Sequence, residues 1–171
     1  MEHHTKIFSE VPHTAVDWRA RVDFREHATG CPWHDCKSFL RQVGLRPTRQ
    51  RLLLGWVLFS KGNRHVTADM LYDEALTARI PVSLATIYNT LHQFTQAGLL
   101  REISATGGRA YFDTNPSEHH HFLVEDEDVV MDIPNGGQEL LVDRAPQAPE
   151  GYEIDRVDVV VRLRRTEPAR T

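Results

Sequence analysis

The spacing of the apolar residues changes once along this chain, at Gly98, from the repeat of an α-helix to that of a β-strand. Before Gly98, apolar side chains recur at intervals of three or four residues, which predicts amphipathic helices. Turn-forming residues divide this stretch into separate helices. The predicted helices cover residues 35–43 and 48–60, a segment that follows Thr67, and residues 83–96.

Particular residues mark where these helices begin and which side chains they bury. Asp35, Thr67 and Ser83 are suited to N-capping. Pro47 suits the first turn of the second helix, because a missing N–H costs nothing there. In the third helix we predict a buried stripe of Met70, Leu71, Ala75 and Leu76.

The strand-like part begins with a hairpin. Residues 99–103 and 109–113 alternate apolar and polar side chains around Gly107-Gly108, a typical turn sequence. Helices followed by a two-stranded wing are the order of a winged helix-turn-helix. Residues 35–113 are therefore the predicted DNA-binding domain, and residues 1–34, which lack sustained periodicity, are a predicted mobile arm.

Residues 114–171 form a shorter second unit with strands predicted at 121–124, 129–133 and 152–163 and a helix at 137–143. Three strands and one helix make a poor independent core. A second copy of the chain would complete it, so we expect a homodimer. The predicted fold class is α+β, with an N-terminal winged helix-turn-helix domain followed by a small α/β dimerisation domain.

Charge divides the chain in the same way, although the net charge is only −4. Residues 36–68 contain seven Lys or Arg and no acid, whereas residues 110–143 contain nine acids and no Lys or Arg. The first block suits DNA phosphates and the second suits cations. No apolar run is long enough to cross a bilayer and the N-terminus lacks a secretion signal, so we expect a cytoplasmic protein without a membrane partner.

The fourth helix carries the residues that we predict to read double-stranded DNA. With Leu84, Ile87 and Leu91 on its inner face, Thr90 is expected to point outward. Asn pairs well with adenine, and Thr, Ala and aromatic carbons contact thymine methyl groups, which favours an AT-rich target. The predicted reading residues are Ser83, Ala85, Thr86, Tyr88, Asn89 and Thr90, and the predicted phosphate contacts are Arg46, Arg49 and Arg51.

Three histidines and two carboxylates form a candidate metal site, and such a set suits Mn²⁺, Fe²⁺ or Zn²⁺. His119 and His121 are two residues apart and share one side of a strand. The five candidate ligands are His65, Asp113, His119, His121 and Asp132.

The chain resembles the ferric uptake regulator family over about residues 36–165. The motifs that carry the resemblance are Gly-Leu-Arg-Pro-Thr-Arg-Gln-Arg at 44–51, His-Val-Thr-Ala at 65–68, Leu-Tyr at 71–72, the segment 83–91, Tyr-Phe-Asp at 111–113 and the triple histidine at 119–121. The resemblance implies a homodimer on palindromic operators and assigns the five candidate ligands to the family's regulatory site. It also implies a second metal site at Glu118, His120 and Glu139, although a further histidine expected after His121 is absent.

Within that family the chain is most similar to the iron response regulators of the rhizobia and their relatives. Three features carry this likeness: Gly-Cys-Pro-Trp-His-Asp at 30–35, the triple histidine, and the lack of any CxxC pair, which leaves no structural zinc. The likeness implies repression of haem-synthesis and iron-metabolism genes at low iron, inactivation by haem, and a haem-delivering protein as a further partner. The implied haem ligands are Cys31, His119, His120 and His121.

Other functions remain open at this point. A divalent-metal or peroxide-responsive repressor of the same family would use the same five residues. A haem or metal carrier would bind DNA without steep salt dependence or not at all. A metalloenzyme would need an open coordination position and a general base; five ligands without an evident base argue against it, so we expect a protein that is not an enzyme.

Overall fold

The computed structural model describes residues 32–104, 108–134, 147–154 and 157–166, with side chains from residue 35 onward. The predicted arm lies outside these residues as far as Cys31, and so does the helix predicted at 137–143. Within the described residues, no helix is long and apolar enough to cross a membrane.

Four helices form the first part of the fold among the described residues. It begins with α1 (Pro32–Gln42), three residues earlier than predicted. They continue with α2 (Arg49–Phe59), α3 (Ala68–Thr77) and α4 (Leu84–Gln96). Thr67 and Ser83 cap α3 and α4 as predicted, each accepting a hydrogen bond from the backbone N–H three residues on. The prediction that Pro47 lies in the first turn of α2 is wrong, because Thr48 caps the helix and the proline precedes that cap.

Within the part of the chain that the structure describes, six short strands form two sheets. In the first, β3 (Ala110–Asp113) lies between β1 (His65–Val66) and β2 (Arg101–Ser104), and all pairs are antiparallel. In the second, β4 (His121–Val124) pairs antiparallel with β5 (Val129–Asp132) and parallel with β6 (Val160–Leu163). A 3₁₀ turn (Glu125–Glu127) joins β4 to β5. The α+β class is confirmed.

The strand predicted at residues 152–163 is reduced to β6. Tyr152, Ile154 and Val157 are exposed and belong to no strand. The only described partner of β6 is β4, which has four residues, so the ladder stops where β4 ends. Alternating side chains alone do not supply the missing hydrogen bonds.

The main core lies among the helices and includes Leu58, Leu71, Ile87, Leu91 and Phe94. The stripe predicted for α3 is half wrong, since Met70 is 45% and Leu76 is 51% exposed. A helix of ten residues buries a narrow face here, formed by Ala68, Leu71 and Ala75.

A second, smaller core joins the wing to the C-terminal sheet. Ile103 and Tyr111 of the wing hairpin pack with Leu123 of β4 and Val130 of β5. The Tyr111 hydroxyl also donates a hydrogen bond of 2.8 Å to the Asp128 carbonyl oxygen. The wing therefore contacts the very sheet that carries the histidine-rich segment.

Candidate metal centre

Strand pairing brings the five candidate ligands together. Pairing of β1 with β3 sets His65 opposite Asp113, and pairing of β4 with β5 sets His121 opposite Asp132. His119 lies two residues before His121, and the centroids of the two imidazole rings are 4.5 Å apart. Each of the five side chains offers one ligand atom, and these atoms all lie within 4.8 Å of one another. Ligands about 2.0–2.2 Å from one ion would lie at most about 4.4 Å apart, so small shifts would close the set.

The imidazole Nε2 atoms face the carboxylates. His119 Nε2 lies 2.9 Å from Asp113 Oδ2 and 3.2 Å from Asp132 Oδ1. His65 Nε2 lies 3.0 Å from Asp132 Oδ1, and His121 Nε2 lies 3.4 Å from Asp113 Oδ2. Asp113 is fully buried, whereas the Asp132 side chain is 43% exposed. The cluster is thus closed on the Asp113 side and reaches solvent on the Asp132 side.

The protonation of these groups follows from burial and mutual contact. Burial alone would raise the pKa of Asp113, but His119, His121, the Asn115 N–H and His65 together hold that pKa at about 2. Burial lowers the pKa of His65 against the opposing pull of Asp113 and Asp132. For His119 burial is outweighed by Asp113 and the Ser117 carbonyl, and its pKa is raised. Asp113 is therefore anionic at neutral pH.

The arrangement of donors and acceptors fits a bound cation. His119 Nδ1 lies 2.8 Å from the Ser117 carbonyl oxygen, which can only accept, so Nδ1 carries a proton and Nε2 of the neutral ring has a lone pair. In the neutral ring that lone pair would face carboxylate oxygens that repel it. The ring is therefore stabilised either by a proton on Nε2, which is the reason that Asp113 raises the pKa of His119, or by a cation in the same place. The Nε2 atoms of His65 and His119 are buried and make no well-aligned hydrogen bond, although carboxylate oxygens lie 3.0 and 2.9 Å away. Three imidazoles and two carboxylates could hold a borderline divalent ion there.

Residues outside the predicted set hold these side chains in place. Arg64, next to His65, binds Glu74 of α3 with two hydrogen bonds of 2.6 and 2.8 Å and also donates to the Val57 and Leu58 carbonyls at the end of α2. Thr114, next to Asp113, accepts a hydrogen bond from the Arg64 N–H. Their positions beside two candidate ligands are the only signal that the sequence offers.

The structure separates the three adjacent histidines. His119 and His121 are buried in the cluster, whereas His120 accepts a hydrogen bond from the Val159 N–H at 3.4 Å. Of the predicted second site, Glu118 is exposed and Glu139 lies outside the described residues, so that site stays a prediction. Cys31, the predicted haem ligand, also lies outside the described residues.

Comparison with known proteins identifies the family. The model of the "Ferric uptake regulator family" matches residues 42–161. The chain belongs to this family. It is 36% identical over 85 residues to the ferric uptake regulation protein of Cupriavidus metallidurans, and the match covers 50% of this chain and 59% of that protein. The chain thus spans about three fifths of that relative.

Two further ferric uptake regulators are similar over more of their length. The ferric uptake regulation protein of Legionella pneumophila is 32% identical over 111 residues, which cover 62% of this chain and 82% of that protein. The solved structure of the ferric uptake regulator from Pseudomonas aeruginosa with manganese superimposes with a TM-score of 0.60 at 28% identity, covering 77% of this chain and 98% of that one. Members of the ferric uptake regulator family are transcription regulators and not enzymes.

The recognition-type helix of this ferric uptake regulator family member presents most of the predicted reading residues. Ser83, Ala85, Tyr88 and Asn89 are exposed and Thr86 is half-buried. The prediction that Thr90 points outward is wrong. Its side chain is 4% exposed, and its hydroxyl donates a 2.8 Å hydrogen bond to the Thr86 carbonyl of its own helix. Because the threonine hydroxyl can donate its hydrogen bond to a carbonyl of its own helix, this small side chain can lie on the buried face of a helix as well as on the exposed one.

The three predicted phosphate-binding arginines differ in their surroundings. Arg46 and Arg49 are exposed. Arg51 is half-buried and its guanidinium donates to Gln93 of α4 at 2.9 Å and to the Arg46 carbonyl at 2.7 Å. Arg51 therefore ties α2 to α4, and two of its donor nitrogens are already engaged.

A pair of variants in α4 tests this assignment. We expect Asn89→Ala to weaken binding to an AT-rich duplex about tenfold, since a lost base contact is worth about 1–3 kcal/mol. We expect Thr90→Val to leave binding unchanged, because the buried hydroxyl contacts only its own helix. Fluorescence anisotropy with one labelled duplex measures both. If Thr90→Val loses as much DNA affinity as Asn89→Ala, then Thr90 contacts DNA and is not an inner-face residue.

Cys36 is a packing residue. It is fully buried, its Sγ donates to the Leu52 carbonyl at 3.3 Å, and burial raises its pKa to about 12. A Cβ added at Gly55 would lie 3.0 Å from this sulfur, so α1 and α2 meet closely here.

We expect Cys36 to resist alkylation in the folded protein, because the reactive species is the thiolate and the raised pKa makes it scarce. In the Cys31→Ala variant, where Cys36 is the sole thiol, iodoacetamide at pH 8 should react about a hundredfold more slowly than in urea-unfolded protein. Mass spectrometry follows the reaction. Equal rates in folded and unfolded protein would show that this thiol is accessible.

Proposed function

We propose that this protein is an iron- and haem-responsive, DNA-binding repressor that acts as a homodimer in the cytoplasm. The observation that carries the proposal is the cluster of His65, Asp113, His119, His121 and Asp132. Its members come from both parts of the chain, because His65 follows α2 and Asp113 ends the wing, whereas the other three belong to the C-terminal sheet or its approach. A cation held by all five would link the DNA-binding part to that sheet.

The proposed DNA-binding surface combines α4 with exposed basic residues. Tyr88 and Asn89 would contact bases, while Arg46 and Arg49 would contact phosphates and fix the register. Binding of this kind weakens steeply with salt, because each phosphate contact releases counterions. The proposed target is an AT-rich palindrome, which matches a twofold-symmetric homodimer.

A metal titration tests the proposed sensor. Protein freed of metal by dialysis against a chelator would be titrated with Mn²⁺ in competition with a fluorescent chelator, and its affinity for a palindromic AT-rich duplex measured with and without Mn²⁺ at several salt concentrations. Saturable binding of one ion per chain and a change of at least about fivefold in DNA affinity support the proposal. Absence of ion binding overturns it, and ion binding without any change in DNA affinity also overturns it and leaves a metal carrier as the alternative.

The haem part of the proposal rests on Cys31-Pro32, the histidine-rich segment and the lack of CxxC pairs. Ferric haem would be titrated into wild type and Cys31→Ala while the Soret absorbance is followed. The inert Cys36 makes a thiolate-type band attributable to Cys31. Loss of that band in Cys31→Ala supports the proposal. Release of the duplex on haem addition would show that haem binding controls DNA binding. A haem-delivering protein would then be the expected partner.

A metal- or peroxide-responsive repressor of the same family is supported equally well by the five-residue cluster. The haem titration separates the two. If haem binding is not saturable or is indifferent to Cys31 and the histidines, while Mn²⁺ still alters DNA affinity, the haem assignment fails and the second candidate holds. Mass spectrometry of His65, His119 and His121 after exposure of the Fe²⁺-loaded protein to peroxide then distinguishes a peroxide sensor from a metal sensor.

A further inference from the structure

Arg101 is the only buried lysine or arginine among the described residues with side chains. It is the first residue of β2, and its side chain is 7% exposed. Burying a guanidinium is costly unless every donor finds a partner. A buried cation beside a proposed cation site therefore calls for a specific role.

The guanidinium joins three segments of the chain. Nη1 donates to the Ser117 carbonyl oxygen, in the loop that leads to His119, and Nη2 donates to Asp158, just before β6. The Arg101 backbone lies opposite Asp113 in the pairing of β2 with β3. Arg101 thus connects the wing, the histidine loop and the C-terminal strand.

The Ser117 carbonyl is the shared element. It accepts one hydrogen bond from Arg101 and one from His119 Nδ1, the latter at 2.8 Å. The Asn115 side chain, which accepts from the Ser117 N–H and hydroxyl, holds the same residue from the other side. The position of this carbonyl decides which nitrogen of His119 carries the proton, and hence whether Nε2 offers a lone pair to the cluster.

We propose that Arg101 is a positioning residue of the metal centre, which holds the Ser117 carbonyl so that His119 stays in the Nδ1–H tautomer with Nε2 free to bind a divalent ion. The proposal rests on the proposed metal site and adds a residue to it. Its removal should weaken the ion's affinity and mix the His119 tautomers. A purely structural ion pair would change stability without changing the tautomer.

The test measures both properties in the full chain. ¹⁵N spectra of histidine-labelled, metal-free protein, recorded at rising pH until His119 is neutral, distinguish protonated from unprotonated ring nitrogens, because the pKa of His119 is raised. His119→Gln identifies the resonances of His119. Mn²⁺ affinity is measured by chelator competition. Arg101→Met should show both His119 tautomers and bind Mn²⁺ about tenfold or more weakly, the usual effect of removing a partner that orients a metal ligand.

Three further variants keep the result interpretable. Arg101→Lys can reach one partner but not both, so we expect it to recover part of the affinity. Asp158→Asn retains the contact with Ser117, and we expect wild-type tautomer and an affinity within about threefold of wild type. Arg109→Gln removes an exposed wing arginine that pairs with Asp128, and should change neither property. Circular dichroism and thermal unfolding report whether each variant folds.

The outcomes are distinct. If a folded Arg101→Met retains wild-type affinity, or loses affinity while His119 keeps a single Nδ1–H tautomer, the proposal is overturned. If Arg101→Met does not fold, the same two measurements on Arg101→Lys decide. If wild type binds no Mn²⁺, the proposed function fails, and the tautomer comparison still tests whether Arg101 positions His119.

Discussion

Asp113→Asn should weaken Mn²⁺ binding at least about a hundredfold, because it replaces the buried anion of the cluster by a neutral amide. Asp113 lies opposite both His65 and Arg101 in the sheet and is 2.9 Å from His119. At a Mn²⁺ concentration one hundred times its own Kd, wild type gains about 2.7 kcal/mol of stability from ligand binding. The variant should gain less than about 0.5 kcal/mol at that concentration. Thermal unfolding with and without Mn²⁺ measures the difference.

The same variant should change acid stability in metal-free protein. The folded pKa of Asp113, about 2, lies below the ordinary value of 3.8, so its charge stabilises the fold above pH 4 and this contribution is lost as pH falls toward 2. The contribution is about 2 kcal/mol at neutral pH. Asp128→Asn, an exposed acid in an ion pair with Arg109, is the matched control. If both variants bind Mn²⁺ equally and unfold alike in acid, Asp113 has neither role.

Arg64→Met should destabilise the protein by about 2–3 kcal/mol and weaken Mn²⁺ binding about tenfold. The change removes a two-bond contact with Glu74, whose pKa is lowered because Arg64 and Lys61 outweigh its burial. It also leaves carbonyls at the end of α2 without a partner. The weaker binding follows because His65 is the next residue and loses its fixed anchor on α2 and α3.

Urea unfolding of metal-free protein and Mn²⁺ titration measure these two effects separately. Arg162→Met, which removes an exposed arginine paired with Glu125, should change stability by no more than about 0.5 kcal/mol. Equal stabilities of Arg64→Met and Arg162→Met would contradict the role of Arg64 as an anchor.

Local chemistry made much of the helical part predictable. Thr67 and Ser83 cap α3 and α4 because their hydroxyls accept hydrogen bonds from backbone N–H groups that lack a partner within the helix. The cap and the N–H that it binds are only three residues apart, so the local sequence is enough to predict the contact. The pairing of β2 and β3 around Gly107-Gly108 is local in the same sense. Burial was harder to predict, as Thr90 and Met70 show, because which face of a helix is covered depends on distant elements.

The sequence was enough to predict which residues form the candidate centre, but not which strand pairings bring them together. Types and spacing single out His119 and His121, but the two-residue strand β1, which brings His65 to Asp113, has no periodicity that a sequence can show. The burial of Arg101 is hard to predict from its residue type, because arginine is ordinarily exposed, although in β2 it shares a face with the buried Ile103. Such contacts join residues far apart in the chain, and only the fold reveals them.

The shortness of β1 has a consequence for the order in which the cluster opens. Two ladder positions and the flanking backbone contacts of Arg64 with Thr114 hold His65 against β3, whereas four ladder positions join β4 to β5 around His121 and Asp132. Segments held by few backbone hydrogen bonds open at a lower free energy than the whole protein. Fraying of β1 would withdraw one imidazole and leave four side chains in place. Amide hydrogen exchange at Val66 would then be the earliest sign of ion release, ahead of any separation of the wing from the C-terminal sheet.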